Sequence, residues 1–264
     1  MKGRPVSLRI YALICLLLAS SGVAAGLPEL IDKIRPGVVG VGTSYPPRQP
    51  NVKGDRVVYL ATGFVVGDGR HIITNAHVTG LTLDSENNQT LAVFSGRGVQ
   101  ATAHPATIVR KDEEHDLVLL QIQGSKLPAL QLGDSNAVRE GQDIAFTGFP
   151  LGMALGLYPV THRGTVSAIA PAAPPSAHSD KLNSVKIKRM RSGFEAFQLD
   201  ATAYPGNSGS PVFELTGGRV IGVVNSVVVK ETRETMLARP SGITYAIPAK
   251  YIQPLLDGVV SPAR

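Results

Sequence analysis

The segment Gly206-Asn207-Ser208-Gly209-Ser210-Pro211 carries more information about this chain than any other. Two earlier segments belong with it, Thr74-Asn75-Ala76-His77 at the end of one apolar run and His115-Asp116-Leu117-Val118 at the start of another. A serine hydroxyl is a weak nucleophile at neutral pH. It becomes reactive when an imidazole takes its proton and a carboxylate fixes the tautomer of that imidazole. His77, Asp116 and Ser208 are the residue types that this chemistry requires.

The order of these residues along the chain favours one architecture. Chymotrypsin-type double barrels have the order His, Asp, Ser, whereas subtilisin-like enzymes have Asp, His, Ser and α/β-hydrolases have Ser, Asp, His. The serine segment also lacks the G-x-S-x-G pattern of α/β-hydrolases, because Ser210 stands where the last glycine would be. An α/β-hydrolase is therefore disfavoured on two grounds.

Short apolar runs separated by Gly, Pro, Asn and Asp predict a chain made mainly of β-strands, of the barrel or sandwich kind. The predicted strands lie at 38–41, 57–66, 71–75, 91–94, 101–109, 117–122, 143–147, 164–170, 197–203, 211–214, 220–229 and 243–246. Helical spacing of apolar residues predicts a short helix at 27–34 and a second at 248–256, interrupted by Pro254. The stretches 171–193 and 230–240 lack periodicity and are predicted to be irregular loops.

Residues 1–25 have the features of a secretory signal peptide. Basic residues near Met1 precede an apolar run of about ten residues, and small residues follow up to Ala25. We expect cleavage after Ala25 and an exported chain, periplasmic or secreted, with residues 26–264 as its mature domain. The apolar run is shorter than the ~20 residues that span a bilayer, so no stable membrane span is expected once the signal is removed. An uncleaved anchor is the alternative.

The composition limits which partners and cofactors are expected for this chain. The single cysteine, Cys15, lies in the apolar run, which leaves the mature chain without a disulfide or a thiol nucleophile. The formal net charge is +6; three of the basic residues lie in 1–25 and five lie at 181–191. We interpret the segment 181–191 as a solvated surface loop, with weak polyanion binding as the alternative. No nucleic-acid partner is expected. No metal or other cofactor is expected either, since the histidines share no metal-ligand spacing.

The glycines next to Ser208 suit a further requirement of acyl transfer. The oxyanion that forms in this reaction is stabilised by preorganised backbone N–H groups. The backbone conformations that aim an amide into such a site are ones that glycine adopts at low cost. The N–H groups of Gly206 and Ser208 are the candidates for this oxyanion hole.

These motifs resemble the HtrA/Deg branch of the chymotrypsin-like serine proteases. The likeness extends to the segments 148–152, 163–169, 198–201 and 245–248 and covers roughly residues 28–258. It implies an all-β fold of two tandem six-stranded antiparallel β-barrels, the first at about 37–135 and the second at about 136–250, with a short N-terminal helix and a C-terminal helix.

The resemblance also implies roles for the candidate residues. The chain would be a serine endopeptidase acting on unfolded or damaged polypeptides, with His77 as general base, Asp116 as its orienting carboxylate and Ser208 as nucleophile. Gly206 and Ser208 would form the oxyanion hole. The residues that would flank the P1 side chain of the substrate, expected to be small and aliphatic, are Asn225, Ser226 and Val227.

Other family properties follow the same resemblance. Regulatory loops would lie near 43–56, 150–159, 171–193 and 230–240, and a homo-oligomer is implied. Ser210 departs from the family pattern, which has a second glycine there. The chain ends soon after Ala246-Ile247-Pro248, so a protease domain without a PDZ domain is expected.

Two other functions stay open on the sequence alone. A secreted glutamyl-type endopeptidase would use the same barrels, with the basic loop at 181–191 attracting acidic substrates. A catalytically idle protein would use the fold to bind peptides, as a chaperone does.

Overall fold

The structure is a computed structural model that describes residues 26–46, 57–152, 156–172, 194–225 and 242–260. Its first half contains α1 (Leu27–Ile34), β1 (Val38–Ser44), β2 (Val57–Val66), β3 (His71–Asn75), β4 (Thr90–Ser95), β5 (Thr102–Asp112) and β6 (Leu117–Ile122). Its second half contains β7 (Asp143–Gly148), β8 (Val160–Pro171), β9 (Glu195–Asp200), β10 (Pro211–Glu214), β11 (Val220–Asn225), β12 (Ile243–Pro248) and α2 (Gln253–Leu256). Short 3₁₀ turns lie at Arg35–Gly37, Ala76–Thr79, Gly98–Gln100 and Ala249–Tyr251.

The strands form two closed barrels, each of six antiparallel strands. The first has the strand order β1-β2-β3-β6-β5-β4 and the second has β10-β11-β12-β9-β8-β7. Closure pairs every strand on both sides and leaves no open sheet edge. The predicted architecture of two tandem six-stranded barrels, with a short helix at each end, is confirmed.

Each barrel has an apolar interior of its own, and a third cluster joins the two barrels. Val65, Ile72 and Leu120 are among the residues that fill the first interior, and Phe146 and Leu199 are among those that fill the second. The third cluster combines aromatic and aliphatic side chains from both barrels, including Phe64, Phe94, Leu117, Phe149, Phe213 and Val223. Burying one such side chain contributes about 1.5–3 kcal/mol, so the contact between the barrels is a major part of the fold.

The hairpin of β2 and β3 sets the position of the first candidate residue. Phe64 pairs with Ile73 and Val66 pairs with His71. The intervening turn uses the left-handed conformation at Gly67 (φ 60°) and Gly69 (φ 87°), as the Gly-Asp-Gly sequence predicts. A closed hairpin holds the end of β3 rigidly, two residues before His77.

Several element boundaries differ from the sequence prediction by a few residues, among them those of β1, β5 and β8, and two further differences have a local cause. The predicted strand at 197–203 ends at Asp200, because the backbone of Ala201 bonds instead to Gly242 and to the Thr244 hydroxyl, and the chain turns toward the serine segment. The predicted helix at 248–256 is a 3₁₀ turn followed by α2, and Pro254 lies in the first turn of α2 rather than interrupting a longer helix. Proline is accepted there because the N–H groups of a first turn have no intrahelical acceptor.

Several predictions concern residues outside the described part of the chain. These are the signal peptide at 1–25, the basic segment 181–191, the whole of the loop 230–240, and most of the loops 43–56 and 171–193. Within the described residues, no helix has the length and apolar character needed to cross a membrane.

Candidate active site

His77 follows β3 in the 3₁₀ turn Ala76–Thr79, and its side chain is 32% exposed. The start of this turn is fixed on the first barrel by the Asp116 carbonyl, which accepts hydrogen bonds from the Ala76 N–H (3.0 Å) and the Asn75 side-chain amide (3.1 Å). The imidazole is therefore held at its base and open to solvent at its tip. This is the exposure that a proton-transferring group needs.

Asp116 lies in the turn between β5 and β6 with φ 54°, a left-handed conformation that Asp tolerates better than most residues. Its residue is 8% exposed, and its carboxylate accepts three hydrogen bonds. The donors are the His77 N–H to Oδ1 (2.9 Å), the His77 Nδ1–H to Oδ2 (2.7 Å) and the Asn225 Nδ2–H to Oδ2 (3.0 Å). Hydrogen bonds to a charged acceptor are each worth about 1.5–3 kcal/mol, so the buried carboxylate is well compensated.

The contact between Asp116 and His77 fixes the tautomer of the imidazole. An ionised carboxylate only accepts hydrogen bonds, so Nδ1 of His77 carries the proton and Nε2 presents a lone pair. A neutral imidazole with a free Nε2 is the form that can accept a proton from a hydroxyl. The structure thus brings together the predicted histidine and aspartate in the predicted relation.

Ser208 lies in the loop between β9 and β10 of the second barrel, and it is 7% exposed. Its carbonyl accepts a hydrogen bond from the Thr62 N–H on β2 (2.9 Å). The next residue, Gly209 (φ 86°), is so close that a Cβ there would lie 2.0 Å from the Thr62 carbonyl oxygen and 2.4 Å from the Thr74 hydroxyl. The serine segment of one barrel therefore packs directly on the strands of the other that lead to His77.

The hydroxyl of Ser208 makes no hydrogen bond to His77 among the contacts of the described residues. In enzymes without substrate, bonds of this kind are often long and tighten only when the reaction complex forms. The hydrogen bond between the Thr62 N–H and the Ser208 carbonyl, and the close approach of Gly209 to the Thr74 side chain, place the serine segment beside the strands that lead to His77.

Gly206 has a conformation that only glycine adopts without strain at this place. Its φ is 101°, and a Cβ would lie 2.4 Å from the Phe149 carbonyl oxygen. The carbonyl before it, on Pro205, accepts a hydrogen bond from the Leu151 N–H (2.6 Å), so the Pro205–Gly206 peptide is held in one orientation. The N–H groups of Asn207, Gly209 and Ser210 donate to carbonyl oxygens, whereas those of Gly206 and Ser208 donate to none within the described part of the chain.

The residues predicted to flank the substrate fall into two groups. Ser226 and Val227 lie outside the described residues. Asn225 ends β11, is 5% exposed, and directs its amide to Asp116. A contact with the Asp116 carboxylate is a role that the sequence does not predict for it.

Thr62 is a second residue that the sequence reading missed. Its hydroxyl donates to the Gly206 carbonyl (2.8 Å) and accepts from the Phe149 N–H (2.9 Å). It lies inside an apolar strand, where one threonine gives no signal of function. Its partners lie 144 and 87 residues away along the chain, so only the folded structure reveals them.

The remaining described histidines have other surroundings. His71 pairs with Asp68 (2.8 Å) and His115 pairs with Asp112 (2.6 Å), outside the serine segment. His162 stacks on a phenylalanine of the second barrel, and burial lowers its pKa. Among the residues described, no group of three or more His, Cys, Asp or Glu side chains is arranged to hold a metal ion.

Comparison with known proteins agrees with this geometry. The trypsin-like peptidase domain family matches residues 61–223, a segment that contains His77, Asp116 and Ser208. A probable periplasmic serine endoprotease DegP-like from Marinomonas sp. (strain MWYL1) is 27% identical over 97% of this chain and 56% of its own length. Serine protease HTR4 from Bos taurus is 30% identical over 87% of this chain and 40% of its own length. Mitochondrial serine protease HTRA2 from Drosophila pseudoobscura pseudoobscura is 31% identical over 74% of this chain and 38% of its own length.

This chain spans about half or less of the length of these relatives. The strand order, the pairing of His77 with Asp116 and the match over both barrels all lead to one assignment. The chain belongs to the trypsin-like peptidase domain family, as an HtrA-like member with the chymotrypsin fold.

Proposed function

We propose that this chain is a serine endopeptidase that hydrolyses peptide bonds through His77, Asp116 and Ser208. The observation that carries the proposal is the buried Asp116 carboxylate, which accepts both the backbone N–H and the Nδ1–H of His77. Two bonds from one carboxylate to one histidine fix the rotation of the imidazole as well as its tautomer. An ordinary ion pair on the surface would require neither a fixed rotation nor a fixed tautomer of the imidazole.

The proposed reaction begins when the Ser208 Oγ attacks the carbonyl carbon of the scissile peptide. His77 Nε2 takes the hydroxyl proton as the C–O bond forms, and Asp116 stabilises the resulting imidazolium. The tetrahedral intermediate then breaks its C–N bond, and His77 returns the proton to the departing amine. A water molecule attacks the acyl-enzyme ester with the same proton transfers in reverse, which releases the acid and restores Ser208.

The N–H groups of Gly206 and Ser208 are proposed to bind the oxyanion of both tetrahedral intermediates. Support comes from the backbone of the serine segment, where these two amides donate to no carbonyl of the described chain while their neighbours do. Loss of one such donor costs about 2.7–4 kcal/mol of transition-state stabilisation. The left-handed Gly206 is the residue that allows this arrangement.

Polypeptides that are unfolded or damaged are the proposed substrates, with a small aliphatic P1 residue. A relative named as a periplasmic serine endoprotease supports a polypeptide substrate and export, as does the signal-like sequence at 1–25. We therefore propose that the mature enzyme works in the periplasm or outside the cell. Asn225, Ser226 and Val227 keep their proposed place beside the P1 side chain.

The test uses unfolded casein and a peptide with Val or Ala at P1, and it compares the wild type with Ser208→Ala. Ser167→Ala is the matched control, because Ser167 is an exposed serine whose hydroxyl donates to Gln198 on the outer side of the second barrel. We expect cleavage by the wild type and by Ser167→Ala, and none by Ser208→Ala. Equal cleavage by wild type and Ser208→Ala would overturn the proposed function.

Mass-spectrometric mapping of the products tests specificity in the same samples. Cleavage after Val and Ala is expected, whereas dominant cleavage after Glu would show a glutamyl-type enzyme instead. A fluorophosphonate probe should label Ser208 in the wild type. Absence of both labelling and cleavage, with peptide binding retained, would identify a peptide-binding protein on this fold.

A further inference from the structure

Thr62 in β2 is fully buried and takes part in four hydrogen bonds outside the strand ladder. Its N–H donates to the Ser208 carbonyl (2.9 Å) and its hydroxyl donates to the Gly206 carbonyl (2.8 Å). The same hydroxyl accepts from the Phe149 N–H (2.9 Å), and the Thr62 carbonyl accepts from the Thr74 hydroxyl (2.7 Å). Thr62 therefore contacts three separate segments of the chain: the serine loop, the segment of Phe149 and the end of β3.

From these contacts we infer that Thr62 is a positioning residue for the oxyanion hole, an inference that rests on the proposed function. The two proposed oxyanion donors are the N–H groups of Gly206 and Ser208. Thr62 binds the carbonyl groups of these same two residues. Within a residue, the direction of the N–H and the direction of the carbonyl are linked through φ and ψ. Fixing both carbonyls therefore limits where both amides can point.

The Gly206 backbone is held from both sides by these bonds. The carbonyl before it, on Pro205, is bound by the Leu151 N–H, and its own carbonyl is bound by Thr62. A glycine with φ 101° has low intrinsic resistance to peptide rotation, so its conformation depends on such external bonds. Without the Thr62 hydroxyl, the Gly206 carbonyl would lose this bond, and the backbone around Gly206 would keep the bonds of the Leu151 N–H to Pro205 and of the Asn207 N–H to the Tyr204 carbonyl (2.9 Å).

Thr62 also relates the oxyanion hole to the general base. The Thr74 hydroxyl donates to the Thr62 carbonyl, and Thr74 stands three residues before His77 on the neighbouring strand. Thr62 is thus hydrogen-bonded both to the strand that leads to His77, the proposed proton acceptor, and to Gly206, a proposed oxyanion donor. Preorganised donors are effective only when their alignment is fixed before the charge develops.

The Thr62 hydroxyl lies in a closely packed region beside Gly148, Asn207 and Ser210. A Cβ on Gly148 would lie 2.9 Å from the Thr62 hydroxyl, 2.9 Å from Asn207 Oδ1 and 2.0 Å from Ser210 Oγ. Removing the hydroxyl leaves a partly buried carbonyl on Gly206 and a buried N–H on Phe149 without this partner. An unpaired buried polar group shifts its backbone to regain a partner, and here that backbone is the oxyanion loop.

The experiment compares Thr62→Val, which keeps the shape and removes the hydroxyl, with Thr62→Ser, which keeps the hydroxyl. Thr244→Val is the matched control, because Thr244 is also buried and its hydroxyl donates to a backbone carbonyl, on Ala201 (2.6 Å). The full chain is used, kcat and KM are measured separately on one peptide, and the inhibition constant is measured for a peptide boronate. A boronate forms a tetrahedral adduct whose oxygen occupies the oxyanion hole. Rates are normalised to the fraction of protein that unfolds cooperatively.

For Thr62→Val we expect kcat to fall by about 10- to 100-fold, less than for complete loss of a donor. The boronate inhibition constant should rise by a similar factor, while KM stays nearly constant. Thr62→Ser should recover most of the kcat, and Thr244→Val should keep kcat while losing stability. Thr62→Ala serves as a second hydroxyl-free variant if Thr62→Val folds poorly.

Two results would overturn the inference. Unchanged kcat and boronate affinity in folded Thr62→Val or Thr62→Ala would show that the hydroxyl does not align the oxyanion hole. A loss of activity in Thr62→Val that matches its loss of folded protein, as in Thr244→Val, would show a purely structural role. Wild-type cleavage that persists in Ser208→Ala is a separate result, which would overturn the proposed function and the role of Thr62 with it.

Discussion

The side-chain amide of Asn225 donates to Oδ2 of Asp116 at 3.0 Å and so joins the last residue of β11 in the second barrel to a buried carboxylate of the first. The same oxygen accepts the Nδ1–H of His77. The carboxylate that fixes the proposed base is thus itself fixed from the opposite barrel.

Asn225→Ala should lower both stability and activity. The substitution removes one of three donors to a buried charge, which costs about 1.5–3 kcal/mol of the free energy of unfolding. We expect kcat to fall by roughly tenfold, because the carboxylate then holds the imidazole less rigidly. Chemical denaturation and steady-state kinetics measure the two effects. Full activity in Asn225→Ala would show that the two His77 bonds to Asp116 suffice.

Asp116→Asn should leave the fold intact and remove most of the activity. An amide at this position can donate to Nδ1 of His77 and so stabilises the wrong tautomer, for which a loss of about 10⁴-fold in kcat is expected. Asp68→Asn is the matched control, because Asp68 pairs with the Nδ1 of another histidine, His71, in the β2–β3 hairpin. Circular dichroism checks the fold and kinetics checks the rate. Equal rates for the two variants would contradict the assigned role of Asp116.

Gly206→Ala should abolish activity through a backbone clash. A Cβ there meets the Phe149 carbonyl oxygen at 2.4 Å, and φ is 101°. Gly124→Ala separates the two causes, since Gly124 has a similar φ of 91° with nothing within 4 Å of a Cβ. The control should lose only the about 1–2 kcal/mol of left-handed strain and keep its kcat. Peptide cleavage and thermal melting of both variants provide the comparison, and an active Gly206→Ala would argue against an oxyanion hole at this loop.

Stability should fall as the solution becomes acidic, in part because of His162. Burial against Phe146 lowers the pKa of His162, and the pKa of His104 is lowered by burial as well. Between the lowered folded-state pKa and the unfolded value of about 6.5, the unfolded chain binds more protons than the folded one. The free energy of unfolding therefore decreases as the pH falls through that interval.

Thermal melting of the wild type and of His162→Phe from pH 8 to pH 5 measures this contribution. Phenylalanine keeps the ring stacking on Phe146 but takes up no proton, so the melting temperature of the variant should depend less steeply on pH. His104 remains in both proteins and accounts for part of the slope that persists. Identical pH profiles would mean that His162 does not contribute.

Local patterns were sufficient for the strands and for the motif residues. His77, Asp116 and Ser208 stand in short motifs next to apolar runs, so their type and order were readable without coordinates. The closed barrels followed from many short strands and from the family resemblance. Local patterns do not predict a hydrogen-bond partner that lies far away along the chain.

Thr62 and Asn225 show that limit. Each is a single polar residue in an apolar strand, and each acts through a partner more than a hundred residues away. The end of β9 at Asp200 has the same origin, because residues 201–203 have apolar and β-branched members, but the Ala201 backbone bonds to Gly242 and to the Thr244 hydroxyl. Pro254 was interpreted as an interruption because its position relative to the helix start depends on how the chain leaves β12.

The apolar cluster that includes Phe64, Phe149 and Phe213 determines how the molecule unfolds. Neither barrel can lose its structure without exposing aromatic rings of the other to water, so denaturant should melt both in a single concerted transition. A molecule with one intact barrel should therefore not accumulate, and the proposed activity should be lost at the same denaturant concentration as the fold.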